Sequence, residues 1–269
     1  MTRLASAWRK FHWSLLHLGS LATLRALFER AQRAAGSRGI SAPHAAASIH
    51  PFDLRHGVET SGLIGGADLQ SGHRNDIYNT AYYGMAPSRF RWILDFWIDD
   101  CTHSSIEQYT FVDLGCGKGR AVMMASEFPF LEVIGVELHP GLAGTARQNV
   151  ALWQRTHPAS ATMRILHQDA TEFIFPAGPC LLYLFNPFAA PVVDRLIDNI
   201  EAQFADRPGT LDLIYFNPEC GDLLDARPGF ELLWSGTVPL SQEDAAVDSV
   251  ASPEDLCSVY RWTGTSARC

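Results

Sequence analysis

Residues 111–120 read FVDLGCGKGR, an apolar run that ends near an aspartate and turns at once through glycines at 115, 117 and 119. Glycine adopts left-handed backbone without steric cost, and a glycine turn between strand and helix exposes backbone N–H groups at the helix start. The stretch therefore predicts a strand, a tight turn and a helix, with a nucleotide-like ligand over the turn. Asp113 narrows the choice. Aligned on Gly115 and Gly117, the dinucleotide fingerprint GxGxxG puts its third glycine on Arg120, and Asp113 would set a carboxylate beside a pyrophosphate. An NAD-dependent oxidoreductase is disfavoured on both counts. A ligand with cationic groups and a carboxylate of its own reverses the objection, since Asp113 favours the cationic end while backbone N–H groups serve the carboxylate.

Outward from this turn, apolar runs of strand length alternate with amphipathic stretches. The strands are expected at Thr110–Leu114, Glu132–Glu137, Met163–His167, Cys180–Phe185, Leu211–Phe216, Phe230–Thr237 and Leu256–Trp262, and helices at Arg120–Glu127, Leu142–Gln154 and Pro191–Phe204. Such alternation predicts an α/β, Rossmann-like, doubly wound fold. Its sheet is seven-stranded and mostly parallel, with the last two strands as an antiparallel edge hairpin because the chain between them is too polar for a crossover helix. Before the first strand, Ser88–Asp99 reads as an aromatic helix, and residues 52–83 as a long glycine-rich and polar loop.

The composition of the 269 residues, 47% hydrophobic and 19% charged, suits a globular chain with one α/β domain and an extension. A net charge of −8 argues against a duplex nucleic-acid partner, which would be bound largely through Lys and Arg. The charge is uneven: residues 1–40 hold seven basic side chains against Glu29 alone, leaving −14 on the remainder. Residues 1–35 repeat apolar side chains at helical spacing and are expected to form a basic amphipathic extension. Such an extension either packs on the domain or contacts an anionic membrane surface or acidic partner. A linker at 36–51 separates it from a catalytic domain at 52–269, in which 52–100 serve as a lid. The six cysteines form no CxxC pair, and no run approaches the length of a membrane span, so a cytoplasmic protein without a metal site is the expectation.

With the glycine turn, the acidic strand ends and the strand–helix alternation, the sequence resembles the class I S-adenosylmethionine-dependent methyltransferases over roughly Phe111 to Trp262. DLGCGKG matches that family's first motif, which implies that Asp113, Gly115, Gly117 and Gly119 contact S-adenosylmethionine. The resemblance further implies Glu137 in VIGVELHP as the ribose ligand and Asp169 in HQDATEF as the residue that reaches the adenine amino group. In LYLFNPF, the element Asn186-Pro187-Phe188 resembles the Asn/Asp-Pro-Pro-aromatic element of N-methyltransferases, with one proline only. Chemically these parts suit an amine: the Asn186 carbonyl and neighbouring backbone carbonyls can accept N–H bonds, and Phe188 offers a ring face to developing positive charge. A second Phe-Asn-Pro, at 216–218, ends the next strand. The segment YNTAYYGMAPSRF is loosely similar to the region before the first motif in Dot1-like lysine methyltransferases, and Tyr82, Tyr83 and Arg89 are the lid candidates, Tyr83 among the catalytic ones.

The expected function is methyl transfer from S-adenosylmethionine to nitrogen, on a protein side chain or a small amine. The alternatives are an O-methyltransferase acting on a small molecule and an S-adenosylmethionine-binding adaptor without catalysis.

Overall fold

The computed structural model describes residues 49–158, 160–247 and 255–264. The helical extension expected at 1–35 and most of the linker at 36–51 lie outside them.

The described chain opens with a helix the sequence reading missed. Helix α1 (Pro51–His56) starts on a proline, is capped by His50 Nδ1 accepting from the Phe52 N–H at 3.1 Å, and ends at Gly57 with φ 67°. Strands β1 (Leu63–Ile64) and β2 (Tyr82–Tyr83) pair antiparallel, so the region expected as loop has short regular structure of its own. Helix α2 (Pro87–Phe96) follows and continues into a wider helical turn, Trp97–Cys101.

The seven main strands fall on the expected residues. β3 (Thr110–Leu114), α3 (Arg120–Ala125), β4 (Glu132–Glu137), α4 (Pro140–Thr156) and β5 (Met163–His167) build one half of the sheet. β6 (Cys180–Phe185), α5 (Ala190–Phe204), β7 (Leu211–Phe216), α6 (Gly221–Asp225), β8 (Phe230–Thr237), α7 (Gln242–Val247) and β9 (Leu256–Trp262) build the other. The strand order is β5-β4-β3-β6-β7-β9-β8. β3 to β7 run parallel, whereas β9 enters antiparallel between β7 and β8. The edge hairpin is thus present with its later strand innermost, and the polar stretch between its strands holds the short helix α7.

Why β9 seats there is visible in one buried group. Asp212 on β7 stands directly opposite Arg261 on β9, accepts from its guanidinium at 2.7 and 2.8 Å, and accepts from Trp97 Nε1 at 2.9 Å. A register slip would leave that buried carboxylate unpaired, at a cost of several kcal/mol.

Side-chain alternation along the strands feeds two cores. Phe111, Tyr183, Ile214 and Phe216 face α2, α3 and α4, while Val112, Leu182, Leu213 and Tyr215 face α5. On α5 the buried Val192, Val193, Leu196, Ile197, Ile200 and Phe204 recur at helical spacing, each contributing about 1.5–3 kcal/mol by burial. From β3 the chain proceeds outward one way to β4 and β5, and from β6 the other way. The crevice at the carboxyl ends of β3 and β6 is therefore the switch point where such sheets bind ligands.

Candidate functional site

Three glycines carry the chain across that crevice, with φ 82° at Gly115, 56° at Gly117 and 84° at Gly119. A Cβ on Gly115 would lie 2.5 Å from Pro187, and one on Gly117 would lie 2.3 Å from the Tyr82 ring. The bare backbone at 117 thus admits an aromatic side chain of the chain itself, where the sequence reading placed a ligand.

The loop amides are committed too. Gly115 and Cys116 donate to Val136 O at 2.8 and 3.0 Å, Gly117 to Glu137 Oε2 at 2.8 Å, and Gly119 to Cys116 O at 2.8 Å. These four N–H groups, expected to serve a ligand carboxylate, hold the loop to itself and to β4 in this structure. The cation beside the cleft is Arg120, whose guanidinium is buried and bonded to Thr60 Oγ1 at 2.6 Å and to the carbonyls of Gly84 and Met85 at 3.2 Å each.

Asp113, Gly115, Gly117 and Glu137 line a cleft with about 700 Å³ of empty space, part of it open to solvent. Its other wall is the segment before α2, from Leu69 and Asn79 to Met85, and its far side holds Tyr183, Phe185, Pro187 and Phe188. Gly119 is not among the lining residues; it packs against Ala146 of α4. The Asp113 carboxylate is buried, and burial followed by the nearby Glu137 charge raises it well above the usual carboxylate range with no offsetting hydrogen bond. Glu137 is raised by burial as well, but accepts from the backbone N–H groups of His139 and Gly117, both at 2.8 Å. One oxygen bonds each amide, which leaves each a further lone-pair direction.

A second, smaller and narrow hollow, with about 260 Å³ of empty space that includes open solvent, continues past Gly115, Leu138, Asn79 and Phe188. Asp169 lies at its polar end. Asp169 caps the turn Ala170–Glu172 by accepting from Thr171 N at 2.9 Å, and its other oxygen accepts from Asn75 Nδ2 at 2.7 Å. So the three carboxylates singled out from sequence, 113, 137 and 169, do stand side by side along the ends of β3, β4 and β5.

The Phe-Asn-Pro-Phe turn closes the crevice from β6. Asn186 has a left-handed backbone, φ 43°, the kind of strained position that asparagine tolerates better than most residues. Its backbone carbonyl accepts from Thr80 Oγ1 at 2.6 Å, and that of Pro187 from Thr80 N at 3.2 Å, while Phe188 forms a bridge with Asn79. Those carbonyls, expected to be acceptors for an incoming amine, each already accept one bond from Thr80 in the segment before α2, which leaves each a further lone pair. The Asn186 side chain differs: Oδ1 is buried without a partner, and Asn186 is not among the residues lining either cavity. Asn217 repeats the geometry at the end of β7, φ 49°, with Phe216 opposite Phe185 in register. It lines neither cavity.

Of the lid candidates, Tyr82 and Tyr83 line the cleft from β2. Arg89 does not. It is buried in α2, donates to Val238 O at 3.2 Å and pairs with Asp255, which ties the helix to the β8–β9 connection. The sequence reading missed Asn75, Thr80 and Tyr183; no pattern marks them, since their roles come from partners more than a hundred residues away or from neighbouring strands.

The fold is an α/β, Rossmann-like arrangement with a seven-stranded, mostly parallel sheet and an antiparallel edge pair. No known family model matches the chain, and no curated protein does. Among solved structures it is similar to a magnesium protoporphyrin IX methyltransferase from Synechocystis with bound S-adenosylhomocysteine, at 13% identity and TM-score 0.46 over 65% of this chain and 82% of that one. A putative RNA methyltransferase from Pyrococcus horikoshii matches at 17% identity and TM-score 0.41 over 66% and 82%. A mitomycin 7-O-methyltransferase matches at 16% and 0.43 over 65% and 53%. Likeness of this degree carries nothing about cofactor or acceptor, which rest on the site itself.

Proposed function

We propose that the chain binds S-adenosylmethionine and transfers its methyl group to nitrogen, on a protein side chain or a small amine. The observation that carries the cofactor reading is Asp113: a buried carboxylate without a hydrogen-bond partner among the described residues, facing the cleft, is costly unless a cation completes it. An ammonium does so; a pyrophosphate makes matters worse. Glu137 has lone pairs to spare for two ribose hydroxyls, and the second cavity offers apolar Val136, Leu138 and Phe188 with Asp169 at its polar end, which suits a flat base with an exocyclic amine.

When bound, S-adenosylmethionine supplies a methyl carbon already activated by its sulfonium, so the residues here have to position and desolvate more than to move protons. Asp113 holds the cationic end, Glu137 the ribose, and Phe185 and Phe188 keep water from the reacting face. In the turn, Asn186 Oδ1 has no donor among the described residues; because Asn186 lines neither cavity, an acceptor amine reaches it only where the turn rearranges as the acceptor binds. The −14 on residues 41–269 suits an acceptor that arrives as a cation.

Titration calorimetry with S-adenosylmethionine and NADH tests the cofactor, with binding of the former alone expected. Asn186→Ala should lower the rate by about a hundredfold, the scale of a misplaced acceptor, while cofactor affinity changes little. Equal loss of both would put Asn186 in the cofactor pocket. Labelled methyl groups added to a lysate should appear on an amine-bearing product, and label on hydroxyl oxygen would overturn the nitrogen assignment. No label on anything would make the chain an adaptor.

A further inference from the structure

The second cavity contains a donor beside its acceptor. Asn75, on the segment before α2, is 3% exposed and lines this cavity next to Asp169. Arg195 on α5 donates from its guanidinium to Asn75 Oδ1 at 2.6 Å, and Asn75 Nδ2 donates to Asp169 Oδ2 at 2.7 Å. An arginine only donates and an ionised carboxylate only accepts, so the amide has one orientation between them. Arg195 is held in turn, its guanidinium 6.0 Å from the centre of the Tyr78 ring, even though its Nε is buried without a partner. The amide therefore cannot flip to suit a ligand.

One of the two Nδ2 hydrogens is spent on Asp169; the other has no acceptor among the described residues. Asp169 Oδ1 already accepts from Thr171 N and Thr171 Oγ1, and His73 Nε2 lies 3.8 Å from Oδ2, so the polar end of the cavity presents the remaining lone pair of Asp169 Oδ2 adjacent to a fixed donor, Asn75. On the edge of a 6-aminopurine the matching groups sit side by side: an exocyclic N–H and a ring nitrogen lone pair. We propose that Asn75 is a base-reading residue, whose amide donates to a ring nitrogen flanking the amino group that Asp169 accepts, and that Arg195 is the positioning residue that aims it. The proposal rests on the cofactor reading above and extends it to residues outside the strand-end motifs. The segment before α2 then takes part in base recognition as well as in covering the cleft.

Calorimetry on the full chain with S-adenosylhomocysteine and its 1-deaza and 7-deaza analogues tests it. In the wild-type protein one of the two deaza ligands should bind roughly five- to tenfold more weakly than the parent, the size of one neutral hydrogen bond. In Asn75→Leu, which keeps the bulk and removes the donor, that difference should vanish. In Asn75→Asp, which places an acceptor against the ring nitrogen, the deaza ligand should bind at least as well as the parent. A residue that merely braced the segment would weaken all three ligands alike and leave their ratios unchanged, and that result overturns the proposal. So does a wild-type protein indifferent to both deaza substitutions. If Asn75→Asp fails to melt cooperatively, Asn75→Leu decides alone; if neither variant folds, Arg195→Met does, since a released amide should shrink the same ratio. A wild-type protein that binds none of the ligands sinks the cofactor reading itself, a result distinct from unchanged ratios.

Discussion

The glycine turn at 115–119 and the segment at 58–85 wall the same cleft, yet they are held by different means. The turn is held locally: its amides bond to one another and to the neighbouring strand β4. The segment is held by distant partners. Asn149 of α4 accepts from Glu59 N and donates to Glu59 O, both at 2.9 Å and 90 residues apart, and Arg120 reaches back 60 residues to Thr60. Asp53 on α1 accepts from Thr60 and Ser61 through both backbone and hydroxyl groups. The difference teaches where each wall is vulnerable: the turn to added volume, the segment to the loss of single polar partners.

Two substitutions press that contrast hardest. Gly117→Val combines a β-branched side chain at φ 56° with a Cβ 2.3 Å from the Tyr82 ring. Strain and overpacking together should cost about 3–5 kcal/mol, read as a shift in urea midpoint. Adding Tyr82→Ala should recover the overpacking part alone. An unshifted midpoint for Gly117→Val would mean that the turn is not the rigid wall described. Asp53→Ala comes next, at about 3 kcal/mol, because it strands the donors of Thr60 and Ser61 and the charge of Arg120, 3.7 Å away. A loss within a few tenths would show that the segment does not depend on α1.

The same contrast explains what could be read from the chain. The seven strands fell on their expected residues because buried parallel strands are continuous apolar runs, bounded here by turn residues such as Gly115, Asn186 and Asn217. The strand-end carboxylates were legible for a related reason: each stands in the last residues of its own strand or just past it. α1 was not, since six residues are too few to display a helical period. Nor were Asp53 and Asn75, whose work is done across 7 and 94 residues by hydrogen bonds that leave no periodic trace. Arg89 misled for the opposite reason. It lies in the right stretch of sequence, but α2 carries it away from the cleft to Asp255.

Asp113 sharpens the comparison from the side of the turn. Its carboxyl is raised above the value it would have in the unfolded chain, so the folded protein holds a proton there that the unfolded chain releases first. Stability without cofactor should therefore fall as pH rises above about 4, by at most about 1.4 kcal/mol per pH unit for this group. Glu137, also raised, adds to the same direction. Asp113→Asn should flatten most of the slope in melts recorded between pH 4 and 7, and should remove the attraction for a cationic ligand. A slope that survives unchanged would assign the titration elsewhere.

The smallest effect is expected where the two walls touch. Tyr82 meets the turn with its ring, against Gly117, and the segment with its hydroxyl, which donates to Thr60 O at 2.6 Å. Burial pushes the phenol well above its ordinary range, so at neutral pH the hydroxyl is a neutral donor. Tyr82→Phe keeps the ring and removes that bond, leaving one carbonyl of the segment short of a partner. The loss should be about 1 kcal/mol in the urea midpoint, with cofactor affinity nearly unchanged, because the ring still fills the space over the turn. Tyr82→Ala, by contrast, opens that space and should weaken cofactor binding more than it weakens the fold. If Tyr82→Phe abolished cofactor binding while the midpoint barely moved, the hydroxyl would be a ligand group, and the contact between the two walls would be chemical as well as steric.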